Sequence, residues 1–268
     1  MLFSVVILSY NSSRTLSRCL SVLQETLSQY QEPSEVLVVE NGSRDKSVEI
    51  LSDFEARYPK LIKPIIFEAN TGTTVSRNTA LNLSSGRYVL VLDSDAYIEK
   101  KALDLLKAHL DASPNVGLVA PKLAYDDGRF QMSTDTFPTL LRKAQRFLSL
   151  DKMQGNLDPT TLTTNPVDYA ISACWLLRRD AVDKVDGFDE NIFYSPEDVD
   201  YCMQVWQAGF QIVYLPSAEV IHDAQELSRG FKISFFHVSH LKGLFYLFNK
   251  YKYFWGLTGL YRKLGRHG

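Results

Sequence analysis

The sequence predicts an α/β fold built on a mostly parallel sheet flanked by helices. Over the first ~120 residues, short runs rich in Val, Ile and Leu alternate with longer segments of helical spacing, the pattern of βαβ units. The runs are mostly apolar and read as strands buried on both faces. Polar side chains follow each run, where a parallel sheet delivers them to one edge.

The elements follow in order. Phe3 to Leu8 reads as the first strand, and a helix from about Ser13 carries Leu16, Leu20, Leu23 and Leu27 as its buried stripe. Glu35 to Val39 is the second strand, Asn41-Gly42 turns, and a helix begins near Asp45. The third strand lies within Leu61 to Phe67, and Pro64 places it near an edge. A helix from Thr74 to Leu83 leads to Tyr88 to Leu92, the most apolar run and the expected central strand. A helix from Lys100 to Asp111 and a strand from Val116 to Ala120 complete this half. Asp126-Asp127-Gly128 reads as a hairpin turn. Thr134 to Pro166 reads as a long loop with an amphipathic piece at Leu140 to Leu150. Beyond it come a strand within Val167 to Leu177, a helix near Arg179 to Val185, a helix from Pro196 to Ala208 and a strand from Gln211 to Leu215.

With 268 residues, 45% of them hydrophobic, the chain can bury a core for one domain or one and a half. The net charge of −2 supplies no field for nucleic acid, which is excluded as a partner. Three cysteines, odd in number and far apart, form neither a disulfide framework nor a zinc spacing, so a reducing compartment is expected. Met1 runs into apolar residues with no basic segment, unlike a signal peptide, and no apolar run reaches the ~18–20 residues of a membrane span. The chain therefore reads as cytoplasmic.

The residues after the strands carry the chemistry. Ser9, Tyr10 and Asn11 follow the first, Glu40 and Asn41 the second, Asn70, Thr71 and Gly72 the third, and Asp93, Ser94 and Asp95 the fourth. The first turn has no glycine to bring bare backbone against a pyrophosphate, which argues against a dinucleotide site or a P-loop. Asp93 and Asp95, one residue apart at a strand mouth, suit either a divalent cation or a turn and helix cap ahead of Lys100. Glu197 and Asp198 suit either a general base or a helix start, with Ser195 as N-cap and Pro196 in the first helical position. His222, beside Asp223, matters only if the fold returns it to Asp95.

The stretches VVILSYNS, VVENGSRDKS, NTGTTVSRNTAL and YVLVLDSDAYI resemble the nucleotide-binding half of the inverting GT-A glycosyltransferases of family two. The later stretch from Ser172 to Asp223 resembles the acceptor half of its bacterial rhamnosyltransferase-like members. The resemblance implies a GT-A (Rossmann-like) sheet with a small antiparallel acceptor-side portion and a helical C-terminal tail. It divides the chain into a catalytic domain, 1–226, with a nucleotide-sugar half (1–120) and an acceptor half (121–226), and a tail, 227–268. It implies a nucleotide-diphospho-sugar donor, a glycan or lipid-linked acceptor, and Mn²⁺ or Mg²⁺ as cofactor. Tyr10 matches the aromatic that packs on the base. Glu40 stands where the family usually has Asp. Asn41, Asp45 and Arg77 match positions that shape the nucleotide pocket, and Ser9, Asn11, Gly72, Asn78 and Ser94 join them as nucleotide-sugar candidates. Asp93 would lie near the ribose, with Asp95 and His222 on the metal. Ser172 stands where the family often has Gly. Asp198, with Glu197 beside it, matches the expected base. A sugar-phosphate nucleotidyltransferase would need a Gly- and Arg-rich first loop, which is absent. A non-catalytic binding module would not need Asp93, Asp95, Asp198 and His222.

Leu227 to Gly268 holds eight Lys or Arg and no Asp or Glu, and eleven aromatics lie between Phe231 and Tyr261. Two readings fit: a helix packed on the catalytic domain with a solvated basic face, or an interfacial segment drawn to anionic lipid at the inner face of the cell membrane.

Overall fold

A computed structural model describes residues 1–142, 161–224, 235–254 and 256–266. The first half alternates as expected: β1 (Phe3–Ser9), α1 (Leu16–Ser28), β2 (Glu35–Asn41), α2 (Ser47–Arg57), β3 (Ile62–Phe67), α3 (Thr73–Leu83) and β4 (Tyr88–Asp93). Then come β5 (Ala96–Tyr97), α4 (Lys100–Ala112), β6 (Val116–Ala124), β7 (Phe130–Gln131), β8 (Thr134–Asp135), β9 (Asn165–Pro166), β10 (Tyr169–Ala170) and β11 (Cys174–Arg178). After the short helix α5 (Arg179–Lys184) follow α6 (Glu197–Gln207), β12 (Gln211–His222), α7 (Phe235–Tyr251) and α8 (Thr258–Lys263).

The main sheet runs β3-β2-β1-β4-β11-β6-β12-β5, with β3 at one edge and β4 inside, as Pro64 and the apolar Tyr88 run predict. β1 to β4 are mutually parallel, and β6 and β12 pair in parallel. The pleat explains why the strand runs carry no polar alternation. Phe3, Val5 and Ile7 of β1, with Leu90 and Leu92 of β4, enter one core; Val6, Val89 and Val91 enter the other. α1 closes the first core with Leu16, Leu20, Leu23 and Leu27, all buried. Each such leucine contributes about 1.5–3 kcal/mol. The second core seats α6 against the sheet through stacked rings, Trp175 on Tyr201 at 5.6 Å and Tyr201 on Phe188 at 4.5 Å.

Three local expectations need correction. Val167 to Leu177 is not one strand. It breaks at Ile171 to Ala173, so β10 pairs with β8 while β11 enters the main sheet antiparallel to both β4 and β6. Ser172, within this break, bonds Arg77 and Glu197. The last strand does not stop at Leu215. It continues past an irregularity between Leu215 and Glu219 and ends on His222 itself. Ser195 is not the N-cap of the Glu197 helix. Pro196 occupies that position without a side-chain cap bond, and the Ser195 hydroxyl bonds His240 Nδ1 at 2.8 Å instead. The expected hairpin at Asp126-Asp127-Gly128 is present, with β7 folded back on β6. Most of the amphipathic piece at Leu140 to Leu150 lies outside the described residues.

The tail is helical, and much of it belongs to the second core. Leu244, Leu247, Phe248, Tyr251, Tyr253, Leu260 and Leu264 are buried there. Gly243 lets α7 approach the loop before α6, since a side-chain carbon there would collide with the Ser195 carbonyl. Lys250 reaches Asp189 at 2.6 Å and the buried Asp200 of α6 at 2.7 Å. Opposite, Val238, Leu241 and Phe245 form an exposed stripe. Among the described residues, no helix is long and apolar enough to cross a membrane.

Candidate active site

The turns after the parallel strands are stitched into one rim. Asn11 takes a positive φ of 51°, which asparagine tolerates. Its N–H donates to Ser43 Oγ at 2.8 Å, and its Oδ1 accepts from the Arg44 N–H at 2.9 Å. Asp45 ties the same two turns, accepting from the Ser13 N–H and from the N–H and hydroxyl of Ser47. Burial raises its pKa, but these bonds outweigh burial and bring it down to about 2. The hydroxyls of Ser12 and Ser94 meet at 2.8 Å, joining the β1 and β4 turns. Tyr10 is exposed, with its ring available on the rim.

Several predicted site residues serve the scaffold. The buried Asn41 side chain donates to Asn70 Oδ1 and the Gly72 carbonyl and accepts from the N–H and hydroxyl of Thr71. It fixes the β3 turn with its whole hydrogen-bonding capacity. Glu40 is buried and accepts from the Ser43 N–H. Gly72, at φ 89°, lies under Phe193, whose carbonyl takes the Thr73 N–H at 2.8 Å. Ser9 is fully buried beneath the rim, and its hydroxyl has no hydrogen-bond partner among the described residues. Asn78 faces away from the rim. It bonds the N–H and carbonyl of Phe188 and lines a separate cavity with Asp189, Gln204 and Lys250.

Arg77 is the hinge of the site. It is 4% exposed and donates to Asp93 Oδ1 at 2.7 Å, Glu197 Oε1 at 3.0 Å and Ser172 Oγ at 2.7 Å. Ser172 donates in turn to Glu197 Oε1 at 3.3 Å. The guanidinium lies 5.4 Å from the Phe188 ring centre, within cation–π range. One cation thus joins the end of β4 to the start of α6. Burial and the adjacent Asp198 push the Glu197 carboxyl up despite Arg77. Asp198, half-exposed, accepts the Val199 N–H at 2.8 Å.

The fold does return His222 to Asp95. β12 pairs antiparallel with β5, setting His222 opposite Ala96. His222 Nε2 lies 3.3 Å from Asp95 Oδ1 and 3.9 Å from Asp93 Oδ2. Burial lowers the pKa of the imidazole, but the carboxylates of Asp95, Asp93 and Asp223 outweigh burial and raise it. Asp93, Asp95 and His222 each offer a ligand atom within 4.8 Å of the others, a cluster that could hold a metal ion. Two carboxylates with one imidazole suit Mn²⁺, and the carboxylates also suit Mg²⁺. Asp93, placed near the ribose by the sequence reading, stands within this cluster.

A cavity of about 250 Å³ is lined by Asp93 and His222 together with Arg77, Glu197 and Asp198. Leu8, Thr73, Ile171, Tyr194 and Ser195 also line it, and the sequence reading had not chosen them for the site. The first two lie beside chosen neighbours, where strand alternation and helix phase decide which side chain faces inward. Gln131 was likewise missed, and it contacts His222 Nδ1 at 2.8 Å. No periodicity or motif marks it.

The parallel-sheet rim, with Asp93, Asp95 and His222 gathered at its edge, has the GT-A architecture. The chain belongs to glycosyl transferase family 2, whose family model matches residues 4–186. That match includes Asp93 and Asp95, while Glu197, Asp198 and His222 lie beyond it. The chain is 29% identical over 238 residues to an N-acetylglucosaminyl-diphospho-decaprenol L-rhamnosyltransferase of Mycobacterium tuberculosis, covering 81% of this chain and 75% of that protein. It resembles S. aureus TarS 1-349 in complex with UDP (TM-score 0.58, 25% identity), covering 82% of this chain but 60% of that one. It shares the fold of the Pyrobaculum calidifontis mannosyltransferase PcManGT, solved with GDP-Man and Mn²⁺ (TM-score 0.59, 18% identity, covering 85% of this chain and 58% of that one).

Proposed function

We propose that the protein is an inverting glycosyltransferase that moves a sugar from a nucleotide-diphospho-sugar to a hydroxyl of a glycan or lipid-linked acceptor. The observation that carries this reading is that Asp93 of β4, Glu197 and Asp198 of α6 and His222 of β12 line one cavity although these three elements are far apart in sequence. The rhamnosyltransferase relative's name specifies a lipid-diphosphate acceptor, and TarS was solved with UDP, which supports the choice of substrate class.

Asp198 is the base in this reading. Glu197 is buried and bonded by Arg77 and Ser172, and Asp198, half-buried, lines the same cavity. Asp198 takes the acceptor proton as the oxygen attacks the anomeric carbon from the face opposite the leaving group. A base so placed contributes about 10²–10⁴-fold. Asp95 and His222, with Asp93, would hold Mn²⁺ or Mg²⁺, and the cation supplies neutralisation of the departing diphosphate. Arg77 keeps Asp93 and Glu197 in place. Tyr10 offers the face for the base, and Asn11, Asp45 and Ser94 shape the turns around it. The exposed Val238, Leu241 and Phe245, with the exposed Lys242 on the same helix, support peripheral contact with a membrane carrying the acceptor.

A panel of UDP-, GDP- and dTDP-sugars with Mn²⁺ and a GlcNAc-diphospho-lipid acceptor tests the reading. Divalent-dependent transfer with inversion is expected. Asp198→Asn should bind donor as the native protein does and lose transfer. Full transfer by that variant would place the base elsewhere.

A further inference from the structure

His222 has two ring nitrogens, and the fold gives each a different neighbour. Nε2 faces the Asp95 and Asp93 carboxylates, while Nδ1 lies 2.8 Å from Gln131 Oε1. Both residues are buried, Gln131 at 8% and His222 at 7% exposure. Gln131 reaches this position because β7 folds back on β6, with Gln131 opposite Leu123, while Leu123 also pairs with Val220 of β12. The hairpin is held by Arg18 on Asp126 at 2.6 Å and by the Ile171 N–H on the Ser133 carbonyl at 2.8 Å.

A carboxamide oxygen can only accept a hydrogen bond, so the proton must sit on Nδ1. In the neutral ring this leaves a lone pair on Nε2, aimed at two further acceptors. Three electron-rich atoms facing one another repel unless positive charge lies among them. We infer that Gln131 is a positioning residue that locks His222 in the Nδ1–H tautomer and so presents Nε2 as a cation ligand. The inference rests on the proposed reading of Asp93, Asp95 and His222 as a cation site. A carboxylate would orient the ring as well, but Asp93, Asp95 and Asp223 already surround it. The neutral amide fixes the ring without adding a further negative charge. Partners of this kind typically change metal affinity about 10–100-fold.

The test joins two readouts on the full chain. In metal-free protein at alkaline pH, ¹⁵N NMR of the histidine ring should show His222 with its proton on Nδ1. An Nε2–H tautomer would overturn the inference whatever the variants do. Mn²⁺ binding, followed through the EPR signal of the free ion, should weaken about 10–100-fold in Gln131→Met. Gln131→Glu, which restores an acceptor, should recover most of that loss. Gln131→Met binding Mn²⁺ as tightly as the native protein, or Gln131→Glu binding as poorly as Gln131→Met, would contradict the proposal. If Gln131→Met does not fold, the native tautomer and the Gln131→Glu affinity still decide it. A native protein with the Nδ1–H tautomer and no Mn²⁺ binding would remove the ligand role and the cation-site reading together, while keeping the Gln131 contact.

Discussion

Two groups of charge meet at Asp93, and they are built in opposite ways. On one side Arg77 satisfies Asp93, Glu197 and Ser172 through short bonds inside the protein. On the other, Asp93 and Asp95 converge on an imidazole whose far nitrogen is already held by Gln131. The first group is closed and supplies its own positive charge. The second gathers groups that, in the proposed reading, leave the positive charge to an incoming cation. Closed groups should therefore govern stability, and the converging group should govern affinity and rate.

The largest effect is expected from breaking the closed group. Arg77→Met leaves buried carboxylates without their cation and should cost about 3–5 kcal/mol in urea denaturation. A loss below 1 kcal/mol would show that the group is not a structural hinge. Asp95→Ala should do the reverse. Metal-assisted transfer should fall by about two orders of magnitude or more, while stability stays within about 0.5 kcal/mol. An unchanged rate would remove Asp95 from the site.

A second closed group sharpens the contrast away from the cavity. Glu35 is buried and bonded by Ser4, Lys63 and Ser85. Burial raises its pKa, but these donors outweigh burial and bring it to about 2. Its stabilisation is therefore complete above the unfolded carboxyl value of about 4.3 and is lost as pH falls toward 2. Glu35→Gln should cost roughly 2 kcal/mol at neutral pH and flatten the stability profile across that acidic window. A variant as pH-dependent as the native protein would contradict this. The smallest effect on stability belongs to the exposed stripe of α7. Phe245→Ser should change stability by less than about 0.5 kcal/mol but reduce binding to anionic vesicles, whereas Leu247→Ala should cost about 2–5 kcal/mol.

The alternation from β1 to β4 was legible because β1, β2 and β4 are largely apolar on both faces and α1 carries one clear buried stripe. Strand direction was less so. β11 reads like its parallel neighbours, since a strand buried on both faces has the same composition whichever way it runs. Asn78 was misplaced by helix phase, for it lies about 100° around α3 from Arg77 and so meets a different loop. Arg77 was chosen for the pocket, but its link to Glu197 spans 120 positions that no local pattern connects. Of the two tail readings, the fold shows the packed helix, and vesicle binding decides the other. Leu247 and Phe248 are core, Lys250 is spent on Asp189 and Asp200, and a stripe at Val238, Leu241 and Phe245 faces outward.

In the proposed reaction a cation joins two distant turns in front of Asp198. Crystals grown with Mn²⁺ and a nucleoside diphosphate, measured at the manganese edge, test this directly. The expected result is an anomalous peak within bonding distance of Asp95 and His222 Nε2, with the diphosphate beside it in the cavity that Asp198 lines. A peak elsewhere, or a nucleotide bound away from that cavity, would contradict it.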